Sequence, residues 1–163
     1  MQSVLFVCLG NICRSPLAEA IFNHQISKKQ LEGRFRASSC GTANYHIGDP
    51  PDTRTLQNAL KNGIVIHHLG RQFDHRDWEE FDLIVPMDQS NKAHLMRMPE
   101  AIKFKRKIKL MRDFDPEGVG ADVPDPYYGS KDDFQKVFDI LDRSIREFIQ
   151  FLETNPSIVN QQS

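Results

Sequence analysis

A strand, a tight loop and a helix start follow one another in the sequence VLFVCLGNICRSP, which begins at Val4. The first four residues are apolar and mostly β-branched or aromatic, as in a short buried strand. Gly10 and Asn11 tolerate the unusual backbone angles of a tight loop. Ser15 suits a helix N-cap, and Pro16 suits the first helical position. A loop of this kind points several N–H groups into one concavity, which predicts an anion-binding site.

Two residues of this loop predict that the anion is attacked as well as bound. Cys8 directly follows the apolar run and Arg14 lies six positions later, so a loop curled around a phosphate brings both to one ligand. Arg14 can grip two phosphate oxygens with its planar guanidinium, and Cys8 would lie beneath the phosphorus. The loop N–H groups, the helix N-terminus and Arg14 favour a thiolate over a thiol. A merely structural cysteine is the alternative, which the spacing Cys-x5-Arg-Ser disfavours.

Composition excludes several other classes of protein. The 163 residues fit one domain, and 21 Lys and Arg against 22 Asp and Glu give no reason to expect nucleic acid or a membrane as partner. No apolar run is long enough for a membrane span or a signal peptide. Three cysteines (Cys8, Cys13 and Cys40) argue for a reducing, cytoplasmic compartment. Without a Cys-x-x-Cys pair or a His-rich tract, we expect no metal and no cofactor.

Strand and helix patterns alternate along the chain and predict a single α/β domain. We expect four strands, at residues 3–8, 34–39, 81–85 and 102–110, and helices at residues 17–29, 52–62, 74–80, 89–97 and 131–152. The alternation of apolar residues with lysines at 102–110 indicates an edge strand, although a basic binding patch is an alternative. The sheet should be parallel, with helices on both faces and the ligand at the carboxyl ends of its strands. The domain should span residues 1–153, with a polar tail at 154–163.

Four segments of the chain resemble the low-molecular-weight protein tyrosine phosphatases. The sequence CLGNICRSP from Cys8 is similar to the phosphate loop of that family, and DPYY from Asp125 is similar to its general-acid loop. MDQSN from Met87 resembles the end of its third strand, and GDPPD from Gly48 resembles the start of its second helix. The matches follow the order of the family over about residues 3 to 152. The resemblance implies the strand order 2-1-3-4.

The resemblance also implies a mechanism and a set of site residues. Cys8 would be the nucleophile that forms a phosphocysteine, Arg14 would bind the phosphate, and Asp125, stiffened by a proline on each side, would be the general acid and base. The remaining phosphate-binding residues would be Leu9, Gly10, Asn11, Ile12, Cys13 and Ser15, with Ser39, His68 and Asp88 in support. Asn11 would hold the shape of the loop, and Ser15 would hydrogen-bond the sulfur. His68 would act through Ser15.

Three tyrosines point to an aryl phosphate as the substrate. Tyr127 and Tyr128 beside the acid, with Tyr45 opposite, can form an aromatic slot deep enough for phosphotyrosine. The partners would be tyrosine-phosphorylated proteins and inorganic phosphate or a similar oxyanion, and the chain would be a monomer or a weak dimer.

Three alternatives remain open at this point. Related arginine phosphatases carry Thr where Ile12 stands, and related arsenate reductases use further cysteines, of which this chain has none after Cys40. A phosphate-binding module without activity would need neither Cys8 nor Asp125. On oxidation, Cys13 could form a disulfide with Cys8 and protect it.

Overall fold

The computed structural model describes residues 1–156, which form a parallel β-sheet between two layers of helices. The strands are β1 (Gln2–Cys8), β2 (Phe35–Gly41) and β3 (Leu83–Pro86), in the spatial order β2-β1-β3. The helices are α1 (Arg14–Lys28), α2 (Thr53–Lys61), α3 (Asp77–Glu80), α4 (Gln89–Met96), α5 (Ala101–Phe104) and α6 (Lys131–Thr154), with 3₁₀ helices at Lys105–Lys107 and Met111–Phe114. The α/β class, the parallel sheet and the relative order of its first three strands are confirmed.

Each face of β1 packs into its own apolar cluster, because successive strand side chains point to opposite faces. Phe6 lies on the face covered by α1 and α6, where its ring contacts those of Phe22 and Phe148 with centroid distances of 5.8 and 6.3 Å. Leu5 lies on the other face, in the cluster built around the fully buried Trp78 of α3. The predicted helices on both faces are therefore present.

The predicted fourth strand at 102–110 is wrong. This segment forms α5 and a 3₁₀ helix, and it meets the sheet only at Ile108, through one isolated parallel bridge to Ile84. The lysine alternation does not follow burial, since Ile102 is 86% exposed whereas Lys107 is only 4% exposed. The Lys107 ammonium donates to the carbonyls of Trp78 at 2.7 Å and Phe81 at 2.8 Å, so it is directed into the molecule, whereas the alternation of an edge strand would direct it to solvent.

Helix α1 begins earlier than predicted, and this changes the role of Ser15. The helix starts at Arg14 with Cys13 in the capping position, and no side chain caps it. Ser15 is therefore not the N-cap. Side chains do cap two later helices: Asp52 accepts from the Arg54 N–H at 2.9 Å at the start of α2, and Asp88 accepts from the Asn91 N–H at 2.7 Å at the start of α4.

The C-terminal helix is longer than predicted. Helix α6 continues to Thr154, and residues 157–163 of the predicted tail lie outside the described residues. The domain limits stay a prediction. Within residues 1–156, no helix combines the length and apolar character needed to cross a bilayer.

Candidate active site

The carboxyl ends of the three strands meet two loops, one from β1 to α1 and one that precedes α6. We call residues 8–15 the phosphate loop and residues 115–130 the acid loop. A cavity of about 310 Å³ opens between them. It is lined by Cys8, Leu9, Gly10, Ile12, Cys13, Arg14, Tyr45, His46, Asp125, Tyr127 and Tyr128. A larger groove of about 400 Å³ lies between α1 and residues 64–67 and contains none of the predicted site residues.

Cys8 lies at the floor of this cavity, and the residue is 3% exposed. Its sulfur accepts a hydrogen bond from the Asn11 N–H at 3.3 Å and lies 2.9 Å from the Ser15 hydroxyl. Ser15 Oγ itself accepts from the Asn11 side-chain amide at 2.8 Å, which leaves its proton for the sulfur or for the Cys40 carbonyl at 3.3 Å. The predicted contact between Ser15 and the sulfur is thus present.

Asn11 fixes the shape of the phosphate loop through its backbone angle and its side-chain hydrogen bonds. Its φ of 57° lies in the left-handed region, which few side chains tolerate and Asn tolerates best. Its amide nitrogen donates to Ser15 and to Ser39 at 3.1 Å, and its oxygen accepts from the Arg71 N–H at 3.0 Å. The same oxygen lies 2.7 Å from His68 Nε2. His68 therefore contacts the loop through Asn11, and the prediction that it acts through Ser15 is wrong.

Glu19 completes this network, although the sequence suggested no such role for it. Its carboxylate accepts from the Ser39 hydroxyl at 2.8 Å and lies 3.2 Å from His68 Nδ1. Glu19 is four residues after Ser15 on the same face of α1, a spacing that could have revealed it. Arg71 contributes only its backbone N–H to this network. Because every residue except proline has that group, the sequence does not reveal this contact.

Arg14 is a buried cation with its partners already in place. Its Nη1 donates to Asp88 at 2.6 Å and to the Val123 carbonyl at 2.9 Å, and its Nη2 lies 3.6 Å from Asp125. Burial acts to lower the pKa of Arg14, but the negative charges of Cys8 and Asp88 outweigh it and raise that pKa above its usual value. The guanidinium is therefore held, charged, between the strand end and the acid loop.

The acid loop brings Asp125 and two tyrosines to the open side of the cavity. The Asp125 side chain is 46% exposed, and its Oδ1 accepts from the Tyr127 N–H at 3.1 Å. The rings of Tyr127 and Tyr128 meet edge to face with centroids 4.9 Å apart. Tyr45 stands exposed on the rim of the same cavity. All three predicted tyrosines are therefore at the cavity.

The end of β2 supports the phosphate loop through close backbone contact. The Thr42 N–H donates to the Cys8 carbonyl at 2.9 Å, and the Ala43 N–H donates to the Leu9 carbonyl at 3.0 Å. A Cβ at Gly41 would lie 2.7 Å from the Leu9 oxygen, so only glycine fits there. The small residues that end β2 thus permit this close approach of two backbones.

Cys13 differs from Cys8 in its surroundings. Burial raises the pKa of the Cys13 thiol to about 12, although a hydrogen bond with Thr55 acts in the opposite direction. Cys13 is consequently a neutral thiol near pH 7. The three cysteines are free, and a disulfide between Cys8 and Cys13 stays a prediction. Nowhere in residues 1–156 do three His, Cys, Asp or Glu side chains come together in a way that could hold a metal ion.

Comparison with known proteins relates this geometry to one family. The family model described as "Low molecular weight phosphotyrosine protein phosphatase" matches residues 3–158. A protein of that name from Gallus gallus is 41% identical over 151 residues, covering 92% of this chain and 95% of the relative. One from Schizosaccharomyces pombe is 47% identical over 133 residues, covering 80% and 84%. The crystal structure of a protein tyrosine phosphatase from Entamoeba histolytica superposes with a TM-score of 0.90 at 38% identity, covering 96% of this chain and 99% of that one.

Proposed function

This chain belongs to the low molecular weight phosphotyrosine protein phosphatase family, and from that premise we propose that Cys8, Arg14 and Asp125 together hydrolyse phosphotyrosine in two steps. The protein is a protein-tyrosine phosphatase, a hydrolase of phosphoric monoesters. One observation carries the assignment of residues. One cavity is lined by a cysteine sulfur held by the phosphate loop, by a buried arginine and by a half-exposed carboxylate.

In the first step, the Cys8 thiolate attacks phosphorus in line with the phenolic oxygen. An S–P bond forms, and the bond between phosphorus and the tyrosine oxygen breaks. The N–H groups of the phosphate loop and the Arg14 guanidinium stabilise the three equatorial oxygens as charge redistributes. Asp125, in its acid form, gives its proton to the departing phenolate. The products are a phosphocysteine and a dephosphorylated tyrosine.

In the second step, a water molecule attacks the phosphocysteine. Asp125, now a carboxylate, takes a proton from that water, and the S–P bond breaks to release phosphate. The leaving group is the Cys8 thiolate, which Ser15 can stabilise because its hydroxyl lies 2.9 Å from the sulfur. Asn11 and His68 keep the loop in shape, and Asp88 keeps Arg14 in place.

The walls of the cavity favour an aryl ester. Tyr45, Tyr127 and Tyr128 offer ring faces and edges to a phenyl group, and the apolar side chain of Ile12 lines the same cavity. The guanidinium group of phosphoarginine, which is joined to phosphorus through nitrogen, would gain less from an apolar Ile12. The arginine phosphatase alternative is therefore the second candidate, and phosphoarginine is the substrate that separates the two.

The cellular setting follows from composition alone. An odd, small number of free cysteines, one of them the nucleophile, suits a reducing compartment, so we propose that the protein acts in the cytoplasm. Its partners would be phosphotyrosine proteins, and it would act as a monomer or a weak dimer.

The test is hydrolysis of a phosphotyrosine peptide between pH 5 and 7 with a metal chelator present. We expect turnover by the wild type, none by Cys8→Ser, and a fall of roughly 10²- to 10⁴-fold with Asp125→Ala. Phosphoarginine serves as the competing substrate and should be hydrolysed far more slowly. A folded wild type that binds phosphate but turns over neither substrate would contradict the proposal and favour a binding module.

A further inference from the structure

Arg54 of α2 stands between the two loops of the active site, and no catalytic role follows for it from the mechanism above. Its Nε and Nη2 donate to the two carboxylate oxygens of Asp52, at 3.0 and 2.8 Å. The guanidinium carbon also lies 5.4 Å from the centre of the Tyr127 ring and 4.7 Å from the centre of the Phe134 ring. Both distances are in the range of a cation–π interaction. Arg54 therefore touches α2, the acid loop and α6 at once.

The two partners of Arg54 on either side, Asp52 and Tyr127, are each hydrogen-bonded to a residue of the active site. On one side, the Asp52 N–H donates to the Ile12 carbonyl of the phosphate loop at 2.8 Å. On the other side, the Tyr127 N–H donates to Asp125 Oδ1 at 3.1 Å. Arg54 is thus the link in a continuous path from the loop that holds the phosphate to the carboxyl group that serves the leaving oxygen.

The acid loop is held firmly two residues earlier, where the Val123 carbonyl accepts from Arg14 at 2.9 Å, but the side chain of Asp125 itself has a weaker tie to the phosphate loop. Asp125 lies in a stretch without helix or strand, and its side chain is about half exposed. The Arg14 Nη2 atom is 3.6 Å from Asp125 Oδ2, which is too long for a good hydrogen bond. Small errors in the placement of a proton donor reduce rates steeply.

We propose that Arg54 is a positioning residue that holds Tyr127, and through it Asp125, at the distance from the phosphate loop that lets Asp125 protonate the leaving phenolate. The inference rests on the proposed function. It predicts a specific kinetic effect: loss of Arg54 should slow only those reactions that need a proton from Asp125. Attack by Cys8 and binding of phosphate should continue.

The experiment compares kcat/KM for aryl phosphates whose phenols differ in acidity. Dinitrophenyl phosphate has a leaving group that is stable as the anion, whereas phenyl phosphate and a phosphotyrosine peptide need the proton. For Arg54→Ala we expect a loss of about tenfold with phenyl phosphate and phosphotyrosine, and almost none with dinitrophenyl phosphate. Arg54→Lys should resemble Arg54→Ala, because an ammonium lacks the planar fork that pairs with Asp52 and stacks on the rings.

The chain supplies a matched control in Arg76. Its Nε donates to Asp74 at 3.0 Å, and Asp74 also accepts from the Arg76 N–H at 2.9 Å, so Asp74 and Arg76 repeat the local pairing of Asp52 and Arg54. Its side chain is 88% exposed and lies outside the cavity. Arg76→Ala removes an equivalent Asp-x-Arg pair without touching the site, and it should leave all the rates unchanged.

Combination with Asp125→Ala separates positioning from a general loss of structure. If Arg54 acts through Asp125, then Arg54→Ala should cost nothing more with phenyl phosphate once Asp125 is already absent. Equal losses with every substrate, or an added loss in the double variant, would overturn the inference while the proposed function stood. A wild type with no activity on any aryl phosphate would instead overturn the proposed function. Circular dichroism on each variant identifies any that fail to fold.

Discussion

The side-chain amide of Asn11 makes four hydrogen bonds inside the protein, to Ser15, Ser39, His68 and the Arg71 N–H. The bonds reach three segments, since His68 and Arg71 both follow α2, so this one residue ties the phosphate loop to α1, β2 and the segment after α2. The backbone of Asn11 is also left-handed, with φ at 57°. Two causes could therefore explain why an Asn is needed here: the angle or the hydrogen bonds.

Substitution by glycine separates these two causes. Asn11→Gly suits the left-handed angle but removes all four bonds, and it leaves buried polar groups without partners. We expect kcat/KM to fall about 10- to 100-fold and unfolding to become easier by about 2 kcal/mol, measured by aryl phosphate kinetics and urea titration. Gln30 is the matched control, because it is exposed and has the same φ of 57°. Gln30→Gly should change neither quantity. Full activity in Asn11→Gly would show that the angle alone matters.

At the scale of elements, the sequence predicted those parts of the fold that have a clear apolar run or stripe. Strand β1 and helices α1 and α6 are of this kind, although the side-chain cap expected from Ser15 at the start of α1 is absent. The segment 102–110 was mispredicted because its lysines alternate, while the burial of Lys107 depends on two distant carbonyls. The link from His68 to Asn11 could not be predicted either, since it depends on how the segment after α2 folds back onto the phosphate loop.

The acid loop has no periodicity at all, and its position depends on the ion pairs of Asp115. This carboxylate is fully buried and accepts from Arg143 of α6 at 2.7 and 3.0 Å and from Arg112 at 2.9 Å. Hydrogen bonds from Arg143 are the main cause that lowers the pKa of Asp115 to about 2. Because the folded pKa is lower than the unfolded one, the stabilisation is complete above about pH 4 and is lost as the pH falls towards 2.

Asp115→Asn should consequently be less stable than the wild type by about 2 kcal/mol at pH 7, a value that corresponds to the size of the shift. The difference, measured by urea unfolding at a series of pH values, should shrink between pH 4 and pH 2. Glu117→Gln is the control: Glu117 also pairs with Arg143, but its side chain is 67% exposed, so its loss should cost less than about 1 kcal/mol. A difference for Asp115→Asn that did not depend on pH would contradict this account.

At the scale of the whole molecule, the active site is also the place where separate parts of the fold are joined. Arg14 begins α1, pairs with Asp88 after β3, and bonds Val123 of the acid loop. Its charge is buried, and beside it the Asn11 N–H of the phosphate loop points at the Cys8 sulfur. An oxyanion bound there would engage groups that only the folded chain brings together. Binding should therefore stabilise the entire domain, and not the loop alone.

The corresponding prediction is a rise in melting temperature with inorganic phosphate. At a concentration one hundred times the dissociation constant, the gain is about 2.7 kcal/mol, or roughly 5 to 10 °C for a domain of this size. Arg14→Ala should abolish most of the rise, whatever its own melting temperature, because the main cation for the phosphate is gone. Asp125→Ala should keep the rise, since that carboxyl serves the leaving oxygen and the water. An undiminished rise in Arg14→Ala would place the anion elsewhere and contradict the assignment of Arg14. Loss of the rise in Asp125→Ala would instead mean that the acid loop itself closes on the phosphate.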